Sequence, residues 1–255
     1  MSSTDQPIAE NEQVKELLAL LQKNKTPGYE DFIQMIGYVT TVENRLATAI
    51  EDLTAMREDL QRMQNNSLKA SLQNTCKSLE ANIAAMQEKL AELKRRIVEG
   101  CKNILDDFKA RGTVALNGIA QFFHLKPLFE AIRQGAENSQ QRSNQAMDRI
   151  DAFAAEYHET GKHLKNMRLA LMGKEPVQEA KTAGAITQIV KVPYRASRAC
   201  MGTIRKTAEK AAAALERLAQ AARERSSVIQ AMREQKAKTA PPKKKDTPTK
   251  TQTER

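Results

Sequence analysis

Apolar positions along the chain follow a helical period almost from end to end. Val14, Leu17, Leu18 and Leu21 recur at helical spacing and predict a short amphipathic helix over 10–23. The stretch Asn24 to Gly28, with Pro27-Gly28 as turn chemistry, ends it. From Tyr29, Phe32, Val39, Leu46, Leu53 and Leu60 repeat every seven residues. Met35, Val42, Ala49, Met56 and Met63 follow each by three. Such an a/d seam predicts a coiled-coil or long bundle helix. A second seam has Leu72, Leu79, Met86 and Leu93 interleaved with Cys76, Ile83, Leu90, Ile97 and Ile104. The polar run Gln64 to Ser67 between the two seams predicts an antiparallel hairpin. A continuous dimerising helix is the competing arrangement, because heptads alone leave open whether a seam closes within one chain or between two.

Beyond the seams the pattern loosens. Thr113 to Leu125 predicts a short apolar helix, and Pro127 suits the first turn of the next one. A sparser pattern continues through Ala146, Ile150, Phe153, Tyr157, Leu164, Met167 and Leu171. Gly173, Pro176 and Gly184 predict a linker, with Pro193 opening the last helix. The expected organisation is a disordered N-terminus at 1–9, a short helix plus coiled-coil hairpin at 10–110, and a middle helical region at 111–172. A linker at 173–193, a basic amphipathic helix at 194–236 and a disordered basic tail at 237–255 complete it. The expected fold class is all-α.

Composition agrees with this. The 255 residues include no Trp, 4% aromatics and only 18 Gly and Pro together. Such a chain favours long helices over a β-sandwich, a β-barrel or a compact α/β enzyme. No apolar run is long enough for a transmembrane helix. The N-terminus lacks the basic start and apolar stretch of a secretory signal. Cys76, Cys101 and Cys200 are odd in number and widely spaced, which predicts free thiols and a cytoplasmic setting.

Charge is unevenly spread. The formal net charge is +10, yet residues 1–65 carry −5 and residues 176–255 carry +11. No acid lies between Glu179 and Glu209, while Lys191, Arg195, Arg198, Arg205 and Lys206 do. On a helical wheel Cys200, Met201, Ile204, Ala208, Ala211, Leu215 and Leu218 form an apolar stripe. Lys191, Arg195, Arg198, Arg205, Lys206, Lys210, Arg217 and Arg223 are the candidate anion-binding residues beside it. Lys243, Lys244 and Lys245 add a flexible basic arm. Such a face can neutralise nucleic-acid phosphates or bind anionic lipid. The plainer alternative is pairing with the acidic N-terminal hairpin or with an acidic partner. Tyr194 is the sole aromatic among these bases, so stacking on single strands has little support.

Other motifs carry little chemistry. His158 and His163 are five residues apart, which sets their side chains about 140° apart on a helix, unlike the four-residue spacing of a zinc protease pair. Asp106-Asp107 reads as a solvated turn. Gly100, Gly112 and Gly118 lack the Gly-Lys-Ser/Thr of a phosphate loop. No catalytic, metal or cofactor residue is nominated, and no enzyme is expected. Phe122 and Phe123 suit burial under the hairpin better than a membrane anchor.

The segments Gly112 to Leu125 (GTVALNGIAQFFHL), Glu156 to Glu175 (EYHETGKHLKNMRLALMGKE) and Val192 to Arg198 (VPYRASR), behind the coiled coil, carry a likeness. Over roughly residues 10–235 the chain resembles a family of uncharacterised coiled-coil-containing proteins of Firmicutes conjugative and mobilisable elements. The resemblance implies a cytoplasmic bacterial protein of a conjugation gene cluster and assigns no catalytic residue. Two function classes therefore stand. One is a non-enzymatic helical accessory protein that binds other proteins through coiled-coil surfaces and DNA through its basic third, as a monomer or homo-oligomer. The other is a peripheral membrane or protein–protein scaffold.

Overall fold

In the computed structural model the described residues are 6–62, 66–171 and 184–239. Their side chains are excepted at 66–68, 71, 157–165, 168, 170–171, 185–186, 225–231 and 233–239. The helices are α1 (Glu12–Lys23), α2 (Tyr29–Arg62), α3 (Asn66–Arg111), α4 (Lys126–Leu171) and α5 (Ala185–Thr239). Short 3-10 geometry at Ile8–Glu10 and a longer 3-10 segment at Gly112–Leu125 complete the described elements.

The local chemistry sets the ends. Asn11 caps α1 by accepting the Val14 N–H through its side chain at 3.3 Å. Gly28, at φ +89°, turns the chain into α2, whose first turn carries Glu30 and Asp31 at the positive end of the helix dipole. Lys109 and Arg111 sit in the last turn of α3, and Gly112 at φ +65° stops it in the left-handed conformation.

Both heptad seams are buried as the spacing predicts. Phe32, Val39, Leu46 and Leu53 of α2 face Leu72, Leu79, Met86 and Leu93 of α3 in one core. Arg57 pairs with Glu80 at 2.7 Å and Lys94 with Glu43 at 2.5 Å, which fixes the two helices antiparallel. The chain then builds a second hairpin against the first. Arg142 of α4 reaches Asn82 of α3, and Ser143 of α4 reaches Ser197 of α5. Arg217 of α5 reaches Asp31 of α2, while the Cys200 thiol donates to the Arg45 carbonyl. The four long helices thus run up, down, up and down, with α5 returning beside α2 to close the bundle. The seams close within the chain. Gly28 lies against Leu218, so α5 continues about 30 Å past the start of α2 to reach Thr239.

Three expectations change. The N-terminal nine residues are not all loose: Ile8 is fully buried, and its N–H donates to the Glu43 carboxylate at 3.1 Å. Lys94 is itself buried and donates to the Gln6 carbonyl at 2.8 Å, so one ion pair holds the segment down. The apolar run after Gly112 is 3-10 rather than α. Leu116, Ile119, Phe122 and Leu125 are buried at intervals of three, the period at which a 3-10 helix presents one edge. The linker is shorter than 173–193, because α5 starts at Ala185 and Pro193 lies inside it. Proline removes one helical N–H, but the turn before it is held by the Lys191–Asp151 pair and by Val190 packed on the core. The basic helix is an integral part of the bundle. Met201, Ile204, Ala208, Ala211, Leu215 and Leu218 of α5 lie in the core. The turn predicted at Gln64 to Ser67 lies partly outside the described residues, as do 172–183 and 240–255.

Candidate nucleic-acid interface

The residues of the basic stripe divide according to what α5 packs against. With Arg195 at 0° and 100° per residue, Lys191 and Gly202 fall at about 320° and 340°, on the side of α4. Cys200 falls at about 140°, on the side of α2. Arg195, Lys206 and Lys210 fall between 0° and about 60°, in the gap between the two neighbours. All three are exposed.

Internal pairing claims part of the rest. Lys191 was a candidate and is removed: it is 7% exposed and ion-paired to Asp151 of α4. A buried ammonium needs such a partner, and it is not available to a ligand. Arg217 pairs with Asp31 at 2.8 Å and donates to Gln34 at 3.3 Å. Arg205 sits 3.7 Å from Glu209 on its own helix. Arg198 is exposed and donates to Asn144 of α4 at 3.4 Å. Arg223 is exposed on the part of α5 past the bundle. Lys243, Lys244 and Lys245 lie outside the described residues.

Three cations remain on the ridge. Arg195 donates to Gln188 at 2.6 Å, which orients its guanidinium without neutralising it. Among the described residues neither Lys206 nor Lys210 has an ion-pair partner. They stand four apart on one face, an arrangement that costs a helix a few tenths of a kcal/mol by like-charge repulsion. A polyanion laid on the ridge relieves it. From Arg195 to Lys210 the ridge is about 22 Å long, the axial length of six or seven base pairs.

Residues 10–255 match the model of a family described as Family of unknown function (DUF6674). The chain belongs to this family. No curated protein and no solved structure matches it. In this DUF6674 member the remaining motifs find plain structural places. Asp106 and Asp107 are exposed and pair with Lys109 and Arg111 at the end of α3. The Tyr157–His163 block lies on α4, with side chains outside those described. Among the described residues no three His, Cys, Asp or Glu side chains gather as metal ligands. Among the same residues no helix is long and apolar enough to cross a membrane. Phe122 is fully buried against Phe32, with ring centroids 4.8 Å apart.

The sequence did not single out Arg45. It is an exposed residue of α2 that lines the α2–α5 groove beside Cys200 and Thr203. Heptad spacing puts it next to the buried Leu46, but nothing in the sequence said that α5 would be the neighbour.

Proposed function

We propose that this protein is a non-enzymatic helical accessory protein that engages nucleic acid through the outer ridge of α5. The carrying observation is the row of Arg195, Lys206 and Lys210: exposed, cationic, and left over after Lys191, Arg205 and Arg217 are paired internally. The contacts are to phosphates, because no aromatic accompanies the three cations on the ridge. Recognition is therefore electrostatic and sequence-tolerant. The bacterial mobile-element and cytoplasmic setting rests on the likeness carried by residues 112–125, 156–175 and 192–198.

The test is fluorescence anisotropy of a labelled mixed-sequence duplex against the full chain at stepped salt. The reading expects an affinity whose logarithm falls linearly with log salt, with a slope of about −3 or steeper from three ridge contacts plus the C-terminal lysines. Undetectable binding at about 20 mM salt overturns it, since counterion release is then at its most favourable.

A further inference from the structure

The bundle is not filled evenly. Between α2 and α5, above a floor formed by α3, lies an open groove of about 250 Å³. Its walls and floor include Leu53, Met56, Leu79, Ile83 and Pro193. Small residues, Ala49 on α2 facing Ala196 and Ala199 on α5, leave the room. Three hydroxyls border it, and that of Ser197 accepts from Ser143 at 3.4 Å. Thr48 donates to the Asn44 carbonyl at 3.0 Å and Thr203 to the Ala199 carbonyl at 3.1 Å. Between its ends the lining is therefore mainly apolar.

Its two ends differ in charge. Arg45 stands at the end beside Cys200 and Thr203. Asp52 stands two helical turns along α2, about 10 Å away, at the end near Pro193. Among the described residues neither has an ion-pair partner. We propose that this groove is a binding site for a small amphipathic acid, its apolar body along α3 and its carboxylate at Arg45. Charge sets the direction: Asp52 repels an anionic head at its own end, and Arg45 receives it. Size sets the class. The volume lies below the roughly 300–1,000 Å³ typical of cofactor- and drug-sized sites, so a short acyl or aryl acid fits and a nucleotide does not.

The groove carries its own reporter. Cys200 lines it and is partly exposed, whereas Cys76 and Cys101 are 1% and 0% exposed. The experiment follows iodoacetamide alkylation of the folded full chain, located by peptide mapping, with octanoate, octanol or octylammonium present. Octanoate at about ten times its dissociation constant slows Cys200 alkylation about elevenfold by occupancy. Octylammonium at the same concentration leaves it unchanged. In Arg45→Met, octanoate protects no better than octanol. In Ala196→Phe, where a ring at the rim fills the groove, protection by octanoate is lost while thermal unfolding stays cooperative. No protection by octanoate up to millimolar concentration overturns the proposal. Equal protection by octylammonium, or unchanged protection in Arg45→Met, also overturns it.

Discussion

Gly100 lies within α3, where glycine costs a helix about 1 kcal/mol relative to alanine. Its place is explained by Phe122. A Cβ at position 100 would sit 2.6 Å from Phe122 Cε1 and 3.1 Å from Cζ, against an optimal carbon–carbon separation of about 3.5–4.0 Å. The ring would have to retreat by roughly 1 Å. It is fully buried and backed by Phe32, so the retreat displaces the core instead of a mobile side chain. Overpacking of this kind costs about 1–3 kcal/mol, which exceeds the gain in helix propensity at most of its range. Gly100→Ala should therefore lose up to about 2 kcal/mol. Gly37 supplies the control. It lies within α2, is exposed, and a Cβ there meets nothing within 4 Å. Gly37→Ala should gain about 0.5–1 kcal/mol. At 2–4 °C per kcal/mol for a chain of this size, the two melting temperatures move in opposite directions, by up to about 8 °C down and about 1–4 °C up. Urea and thermal unfolding, each followed by circular dichroism at 222 nm, measure the free energies and the melting temperatures. Adding Phe122→Leu to Gly100→Ala should destabilise by less than the two single changes combined, because the smaller side chain vacates the contested space. A Gly100→Ala protein at least as stable as the wild type would refute the steric argument.

Other expectations follow from particular groups. Lys94→Met strands the largely buried Glu43 carboxylate, and should cost about 3–5 kcal/mol in urea unfolding and speed amide exchange at Ile8; adding Glu43→Leu should recover part of that loss. Under native conditions a thiol reagent should modify Cys200 first and leave Cys101 last. Burial raises both thiols and pushes Cys101 up to about 12, while at Cys200 the Arg45 charge offsets part of the effect. Hydrogen bonds from Arg95 and Arg96 hold the Glu92 carboxyl down to about 2, so carboxyl carbon shifts in NMR should place its midpoint there. Because that pKa is lowered on folding, its stabilising effect is present above the ordinary carboxylate range and fades as pH falls toward 2. Exposure makes it fade in high salt as well.

Legibility in the sequence tracked the length over which a pattern repeats. The seams of α2 and α3 run for four or five heptads, and every described a or d position named for them is buried or partly buried. The burial of Phe122 was legible from the apolar character of its segment, since such a run normally packs inward. The Gly112–Leu125 segment is short, and over so few turns periods of 3.0 and 3.6 give overlapping apolar positions. Ile8 was illegible because its burial depends on Glu43 and Lys94, 35 and 86 residues away. Pro193 looked like a helix start because propensity is local, whereas the turn before it is held by Asp151 of another helix. The helical wheel places the basic residues of α5 on one side of the helix. Which of its cations stay free depends on which side α4 and α2 pack, and the helical wheel carries no information on that.

The same packing changes how the nucleic-acid proposal is best tested. Removing α5 would strip Met201, Ile204, Ala211 and Leu215 from the core, so loss of binding would report unfolding. The ridge cations can be removed without touching that core. The decisive measurement is the salt slope of duplex affinity for wild type and for the triple variant Arg195→Gln, Lys206→Gln, Lys210→Gln. Both are measured in chains ending at Thr239, so that the tail lysines do not contribute. The account predicts a slope shallower by about 2.7 in the variant, with an unchanged melting temperature. An unchanged slope in a folded variant would contradict it and place the phosphate contacts elsewhere on the molecule.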